Sequence, residues 1–252
     1  MVELIQEMPS SSPSRATVLG LPLHLLEDYP AWLIDQIQQQ KGVHVVTLNA
    51  EMAMQAEQNS ALATIVQQAD LVIPDGSGVV LYLSLRGKRV QRCPGIELAE
   101  LLLQRSPHCQ QPCSVFLYGG QPGVCQQAAE VLQQRIPGLA IAGSQHGYLS
   151  TDEQHQLRQT LADCQPRIIL VGLGVPRQEL WIAEHRHLCP HAVWIGVGGS
   201  FDIWAGTKVR APEWLRNNHL EWVYRLYQEP WRWRRMLALP RFAWRALVHS
   251  GQ

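Results

Sequence analysis

Asp75 is the side chain whose setting in the sequence best suits proton transfer. It follows the apolar run Leu71-Val72-Ile73-Pro74, so it emerges directly from a buried strand, and Gly76 lets the chain turn sharply behind it. A carboxylate there, partly desolvated, has a raised pKa and can take a proton from a hydroxyl nucleophile. The same position also suits the N-cap of a helix beginning near Gly78. Thr47 and Asn49 leave a neighbouring apolar run and stand close to Asp75 on this reading, either to hold a sugar hydroxyl or phosphate or to cap the next helix. Gln178 and Glu179 open a helix after a glycine-rich turn, and an amide that donates and accepts at once suits sugar hydroxyls. Asp202 fits a ribose or base contact, or a cap. Glu184, His185, His187, Cys189 and His191 crowd one stretch, but His185 and His187 point different ways on a helix and share no face with a further ligand, so no metal is expected.

These residues need strands to carry them. Val43–Leu48, Leu71–Ile73, Ser114–Tyr118, Leu139–Ala142, Arg167–Val171 and Ala192–Val197 read as strands. Helical patterns at Glu51–Gln58, Ser60–Gln68, Gly95–Arg105, Gly123–Arg135, Asp152–Asp163 and Gln178–His187 lie between them. That alternation predicts an α/β fold with a mainly parallel sheet and helices on both faces. Ligands of such a sheet bind at the C-terminal ends of the strands. Glycines cluster there, with Gly76, Gly120, Gly172, Gly174, Gly198 and Gly199 in turns that feed helices. Backbone N–H groups and helix dipoles suit such turns to phosphate. None is a clean G-x-G-x-x-G or G-x-x-x-x-G-K-[ST], so neither a simple dinucleotide fold nor a P-loop enzyme is indicated, and no cofactor is expected.

The chain of 252 residues, 46% hydrophobic and 17% charged, has room for one large domain and an appendage. Residues 1–15 read as a loose polar leader without signal-peptide features, 16–206 as the catalytic body and 207–252 as a helical appendage. From Thr207 onward nine Lys or Arg face three acids, against 12 and 18 before it, so a formally neutral chain divides into about −6 and +6. Trp214, Trp222, Trp231, Trp233 and Trp244 interleave with these arginines. Arg beside Trp at helical spacing suits phosphate and a membrane interface, although a solvated basic helix face looks the same. With basic residues confined to the tail, a nucleic-acid partner is not expected. No stretch approaches the roughly 20 apolar residues needed to span a bilayer, and six cysteines without C-x-x-C pairing read as reduced thiols.

The motifs also resemble a known family. Thr47-Leu48-Asn49-Ala50-Glu51, Pro74-Asp75-Gly76-x-Gly78, Arg92-x-x-Gly95, Gly147-Tyr148, Val171-Gly172-Leu173-Gly174-x-Pro176-x-Gln178-Glu179, Gly196-Val197-Gly198-Gly199-x-Phe201-Asp202, Arg210-Ala211-Pro212 and a run from Leu220 to Arg232 follow in order. Over roughly 43–235 the chain closely resembles the WecG/TagA/CpsF glycosyltransferases. The resemblance implies a Rossmann-like body that inverts a UDP-sugar, typically UDP-N-acetylmannosamine, onto a GlcNAc carried by polyprenyl diphosphate in surface-polysaccharide synthesis. It implies Asp75 as general base, Thr47 and Gln178 in the active site, and Asn49, Arg92, Tyr148, Glu179 and Asp202 with the glycine turns around the substrates. It also implies that the appendage supplies Arg225, Arg232 and Arg235 as a lid and touches the inner face of the membrane, placing the protein peripherally in the cytoplasm; a homo-oligomer is left open. Gly95-Ile96-Glu97 departs from the family's Gly-Ser/Thr-Asp, which bears on sugar choice. Arg241, Arg245 and Trp244 are expected to serve membrane attachment alone. Two rivals remain at this level: a non-catalytic membrane-docked nucleotide-sugar-binding protein, and a UDP-sugar epimerase or dehydrogenase.

Overall fold

The computed structural model describes residues 13–218 and 220–248, except the side chain of Arg232. Most of the expected leader, residues 1–12, lies outside them. Ser14 and Arg15 belong to strand β1 (Ser14–Val18), which pairs antiparallel with β2 (Leu21–Leu25) through a Leu19-Gly20 turn.

Six strands form the main sheet: β3 (Val43–Leu48), β4 (Leu71–Pro74), β5 (Ser114–Gly119), β6 (Ala140–Gln145), β7 (Ile168–Gly172) and β8 (Val193–Gly196). All pair parallel, in the order β4-β3-β8-β7-β5-β6. Period-2 alternation splits the strand residues between two cores, because successive side chains point to opposite faces. Val43, Val45, Leu71, Ile73, Val115, Leu117, Ile168, Leu170, Val193 and Ile195 enter one core, under α1 (Tyr29–Gln38) and helices described below. Val46, Leu48, Val72, Phe116, Tyr118, Ile169, Val171 and Trp194 enter the opposite layer. A sheet buried on both sides accounts for strands that are apolar nearly throughout.

Helices α2 (Ala50–Gln58) and α3 (Ser60–Gln68) join β3 to β4. Helices α4 (Ser77–Ser84) and α5 (Gly95–Arg105) lead to β5, and α6 (Val124–Arg135), α7 (Thr151–Cys164) and α8 (Arg177–His185) make the later crossovers. The edge strand β4 is covered by the hairpin rather than left open to pairing. The Val72 N–H donates to His24 Nδ1 at 2.9 Å, and burial lowers the His24 pKa, which favours the neutral ring that can accept this bond.

After β8 the short α9 (Ser200–Trp204) ends the body. The tail follows as α10 (Glu213–Asn217), α11 (Glu221–Gln228), α12 (Trp233–Met236) and α13 (Ala238–Val248). It folds back on the body: Phe242, 3% exposed, packs against α4, with its ring centroid 6.0 Å from that of Tyr82. No helix among the described residues is long and apolar enough to cross a membrane.

Candidate active site

A cavity of about 730 Å³ lies at the C-terminal ends of β3 and β4, between body and tail. Asn49, Asp75, Gly76 and Arg92 line it from the body, and Glu221, Trp222, Arg225 and Arg235 from the tail. The structure therefore brings together seven of the residues picked out from sequence, Trp222 among them, and adds Glu221.

Asp75 does not cap α4, whose N-cap Gly76 makes no side-chain bond. Its carboxylate accepts instead from the Gly95 N–H, at 3.2 Å, at the start of α5. Gly95 is needed for that approach, since a Cβ there would stand 2.8 Å from Thr47 Cγ2. Burial, first of all, pushes the Asp75 carboxyl up to about 6, with Arg225, the Gly95 N–H and Arg92 opposing and Glu221 adding. Such a group is mostly ionised at neutral pH and still basic enough to take a hydroxyl proton. The nearby Cys93 thiol is pushed up to about 12 by burial and by the charges of Asp75 and Glu97, so it remains protonated and a poor nucleophile.

Glu221 organises the cationic side. It accepts from Arg92 Nη2 at 3.2 Å and from Arg225 Nη2 at 2.6 Å. Burial works against its charge, yet Arg225, Arg92 and Arg210 hold its carboxyl below the ordinary value. Arg235 Nε lies 3.5 Å from Glu51 Oε1 on α2. Arg232, expected beside them, falls outside the described side chains.

The remaining expected residues form a second group at the ends of β5, β7 and β8. Gln178 and Glu179 are 2% and 0% exposed. The Gly174 and Gly198 N–H groups both donate to Gln178 Oε1 at 3.1 Å, while Gln178 Nε2 donates to Glu179 Oε1 at 3.0 Å. Glu179 Oε2 in turn stands 3.1 Å from His44 Nε2. Both ends of the Gln178 amide are thus engaged within the protein, tying two glycine turns together. Gly196 is what admits it, since a Cβ there would lie 2.3 Å from Gln178 Nε2. Thr47 Oγ1 donates to Gly196 O at 3.4 Å, so Thr47 joins the two groups without lining the cavity. The Gly120 N–H donates to Gly172 O at 3.0 Å. Exposed Tyr148 accepts from Gln121 Nε2 at 2.9 Å, Asp202 Oδ2 meets Lys208 Nζ at 3.3 Å, and Gly199 precedes α9. Asn49 caps α2, its Oδ1 accepting from the Met52 N–H at 3.0 Å.

The tail is also fastened by its charges. Glu97 accepts from Arg210 and, at 3.3 Å, from Arg216; Arg245 Nε pairs with Glu57 at 3.3 Å, and Lys208 also pairs with Glu229 at 3.0 Å. One oxygen of Glu97, Oε1, meets both arginines. Arg245 therefore docks α13 on α2, a role the sequence reading did not give it.

Comparison with known proteins settles the kinship. The model for "Glycosyl transferase WecG/TagA/CpsF family" matches residues 16–251. The chain belongs to that family. An N-acetylglucosaminyldiphosphoundecaprenol N-acetyl-beta-D-mannosaminyltransferase of Bacillus spizizenii (strain ATCC 23059 / NRRL B-14472 / W23) is 39% identical over 215 residues, covering 85% of this chain and 82% of the relative. A protein of the same name from Bacillus subtilis (strain 168) is 36% identical over 208 residues, covering 82% and 80%. As a member of the WecG/TagA/CpsF family, this chain is a glycosyltransferase.

Sequence reasoning missed three contributors: Glu221, buried His44, and the apolar lining supplied by α4 and α13. For α13 a signal was present, since Leu239, Phe242, Ala243, Ala246 and Leu247 recur at helical spacing, but the Arg and Trp between them drew the eye.

Proposed function

We propose that this enzyme transfers N-acetylmannosamine, with inversion, from a UDP-linked donor to the GlcNAc of a polyprenyl-diphosphate acceptor; the relatives' names support the mannosaminyl group and the GlcNAc-diphosphate-lipid acceptor. The observation that carries this reading is Asp75 at the cavity's polar end, held near a pKa of about 6 beside Arg92 and Arg225. Asp75 takes the proton of the acceptor hydroxyl as that oxygen attacks the anomeric carbon, and the bond to the UDP oxygen breaks. Guanidiniums of Arg92, Arg225 and Arg235 pair with the acceptor's diphosphate and so hold its sugar hydroxyl in place beside Asp75. The glycine turns after β5, β7 and β8 present backbone to the donor, and Gln178 acts by fixing two of them rather than by touching sugar. Exposed Trp231, Trp244 and Leu247 support peripheral contact of the tail with a membrane carrying the acceptor.

The test is transfer from UDP-N-acetylmannosamine to a soluble GlcNAc-diphosphate-lipid analogue, within a panel of UDP-HexNAc donors. Transfer from the mannosamine donor is expected, and its loss in Asp75→Asn. Equal turnover by Asp75→Asn removes the base; preference for another HexNAc removes the donor assignment.

A further inference from the structure

The polar site occupies only one end of the cavity. The rest is an apolar groove with no place in the chemistry above. One wall is α4, through Leu81 and Leu85; the other is α13, through Leu239, Ala243, Ala246 and Leu247. Leu81 and Leu85 stand four residues apart, and the α13 set recurs at three- and four-residue spacing, so each set lies along one helix face.

The walls run the same way. Helix α4 starts two residues after Asp75, which fixes its first turn at the polar end. On the tail side, Arg235 pairs with Glu51 near the start of α2, and Arg245 pairs with Glu57 near its end. Helix α13 therefore travels outward along α2, away from Asn49 and the site. Between Ser77 and Leu85, and between Leu239 and Leu247, each wall advances about 12 Å at about 1.5 Å per residue, the α4 wall turning apolar over its outer half. The outer end opens at the surface, where Leu81, Leu85 and Leu247 are 60%, 66% and 75% exposed.

We propose that this groove holds the first isoprene units of the acceptor's polyprenyl chain, an inference that rests on the acceptor reading above. The occupant must continue from a group that delivers a hydroxyl to Asp75, carry anionic charge past Arg92, Arg225 and Arg235, and be apolar for about 12 Å beyond. A prenyl diphosphate meets all three requirements in that order. A bilayer acyl chain meets only the last. The nucleotide has its own glycine turns at other strand ends. Small side chains at Ala243 and Ala246 leave the width for a branched chain; Ala243 is exposed, so a larger residue there enters the groove without entering the core, whereas Ala246 is half-buried against it.

The experiment measures dissociation constants of methyl, geranyl and farnesyl diphosphate by tryptophan fluorescence, using the full chain without vesicles; Trp222 lines the cavity as reporter. Farnesyl diphosphate is expected to bind on the order of tenfold or more tighter than the methyl compound, since each buried methylene favours binding. Ala243→Trp and Ala246→Trp, each filling the groove, should erase the preference for the longer chain. Equal affinities in the unaltered protein, or a preference that survives both substitutions, overturns the groove. Transfer to GlcNAc-diphosphate acceptors is read separately. Chain-length preference without transfer strikes at the acceptor reading, whereas transfer without chain-length preference strikes at the groove alone.

Discussion

At the scale of single residues, Asp75 and Glu179 are two desolvated carboxylates with opposite consequences. Asp75 has few partners and is pushed up to about 6 from an ordinary 3.8, chiefly by burial. Between those two values the folded chain binds more protons than the unfolded one, so stability falls as pH rises through that window and is flat above it. Asp75→Asn is therefore expected to abolish most turnover, by roughly 10²–10⁴, while raising stability at neutral pH by up to about 3 kcal/mol. That gain should fade below about pH 4; melting curves across pH check both signs. The acidic limb of kcat/KM in the unaltered enzyme should fall near pH 6, the value held by Asp75. Glu179, wholly buried, is bonded to Gln178 and His44. Glu179→Ala strands both partners, so urea denaturation should show a loss of about 2–5 kcal/mol. Glu179→Gln, which keeps a hydrogen-bonding end group, should lose less.

At the scale of elements, the tail is a docked unit whose hold depends on one aromatic. Phe242 fills the space left by Gly78 and meets Tyr82. Its loss removes packing on the order of 3 kcal/mol or more, but the effect is limited to whatever holds α13 to the body. Phe242→Ala is therefore expected to release the tail rather than unfold the sheet: protease cleavage between Lys208 and Arg216 should quicken and acceptor KM should rise, while the cooperative melt shifts little. The elements themselves were legible to different degrees. Strands β3, β5, β7 and β8 announced themselves as apolar runs, and α3 and α5 matched their expected ends. The hairpin and α1 escaped notice because Pro13, Pro22 and Pro30 break the local pattern around them. Strand order was not readable at all, since pairing of β3 with β8 joins residues some 150 apart that no local pattern links. The candidate site was half legible for the same reason. Asp75 and Asn49 sit at strand ends, where position alone marks them, but Glu221 and the α13 stripe gain meaning only once the tail folds back over β3 and β4.

At the scale of the whole molecule, the division into an acidic body and a basic tail is first an internal one. Glu97, Glu51, Glu57 and Asp202 of the body each meet a tail cation: Arg210 with Arg216, Arg235, Arg245 and Lys208 respectively. Much of the tail's charge is therefore already answered by the body, and less remains for an anionic surface than the sequence suggests. The apolar side of the tail is freer: Tyr227 and Trp231 are 81% and 71% exposed, and Trp244 and Val248 stand out beside Leu247 at the groove's open end. Indole rings settle at the headgroup layer, whereas exposed ion pairs are screened within about 8 Å at physiological salt. Binding to vesicles containing phosphatidylglycerol should consequently lean on tryptophan more than on arginine. Trp244→Ala is expected to weaken co-sedimentation by about tenfold, roughly 1.4 kcal/mol, and Arg245→Ala by less, because Arg245 leaves Glu57 only at a cost. Salt should weaken binding with a slope well below that of a tail with all its cations free. A steep salt dependence, or full binding by Trp244→Ala, would show that the ion pairs to the body open at the membrane and that charge governs attachment.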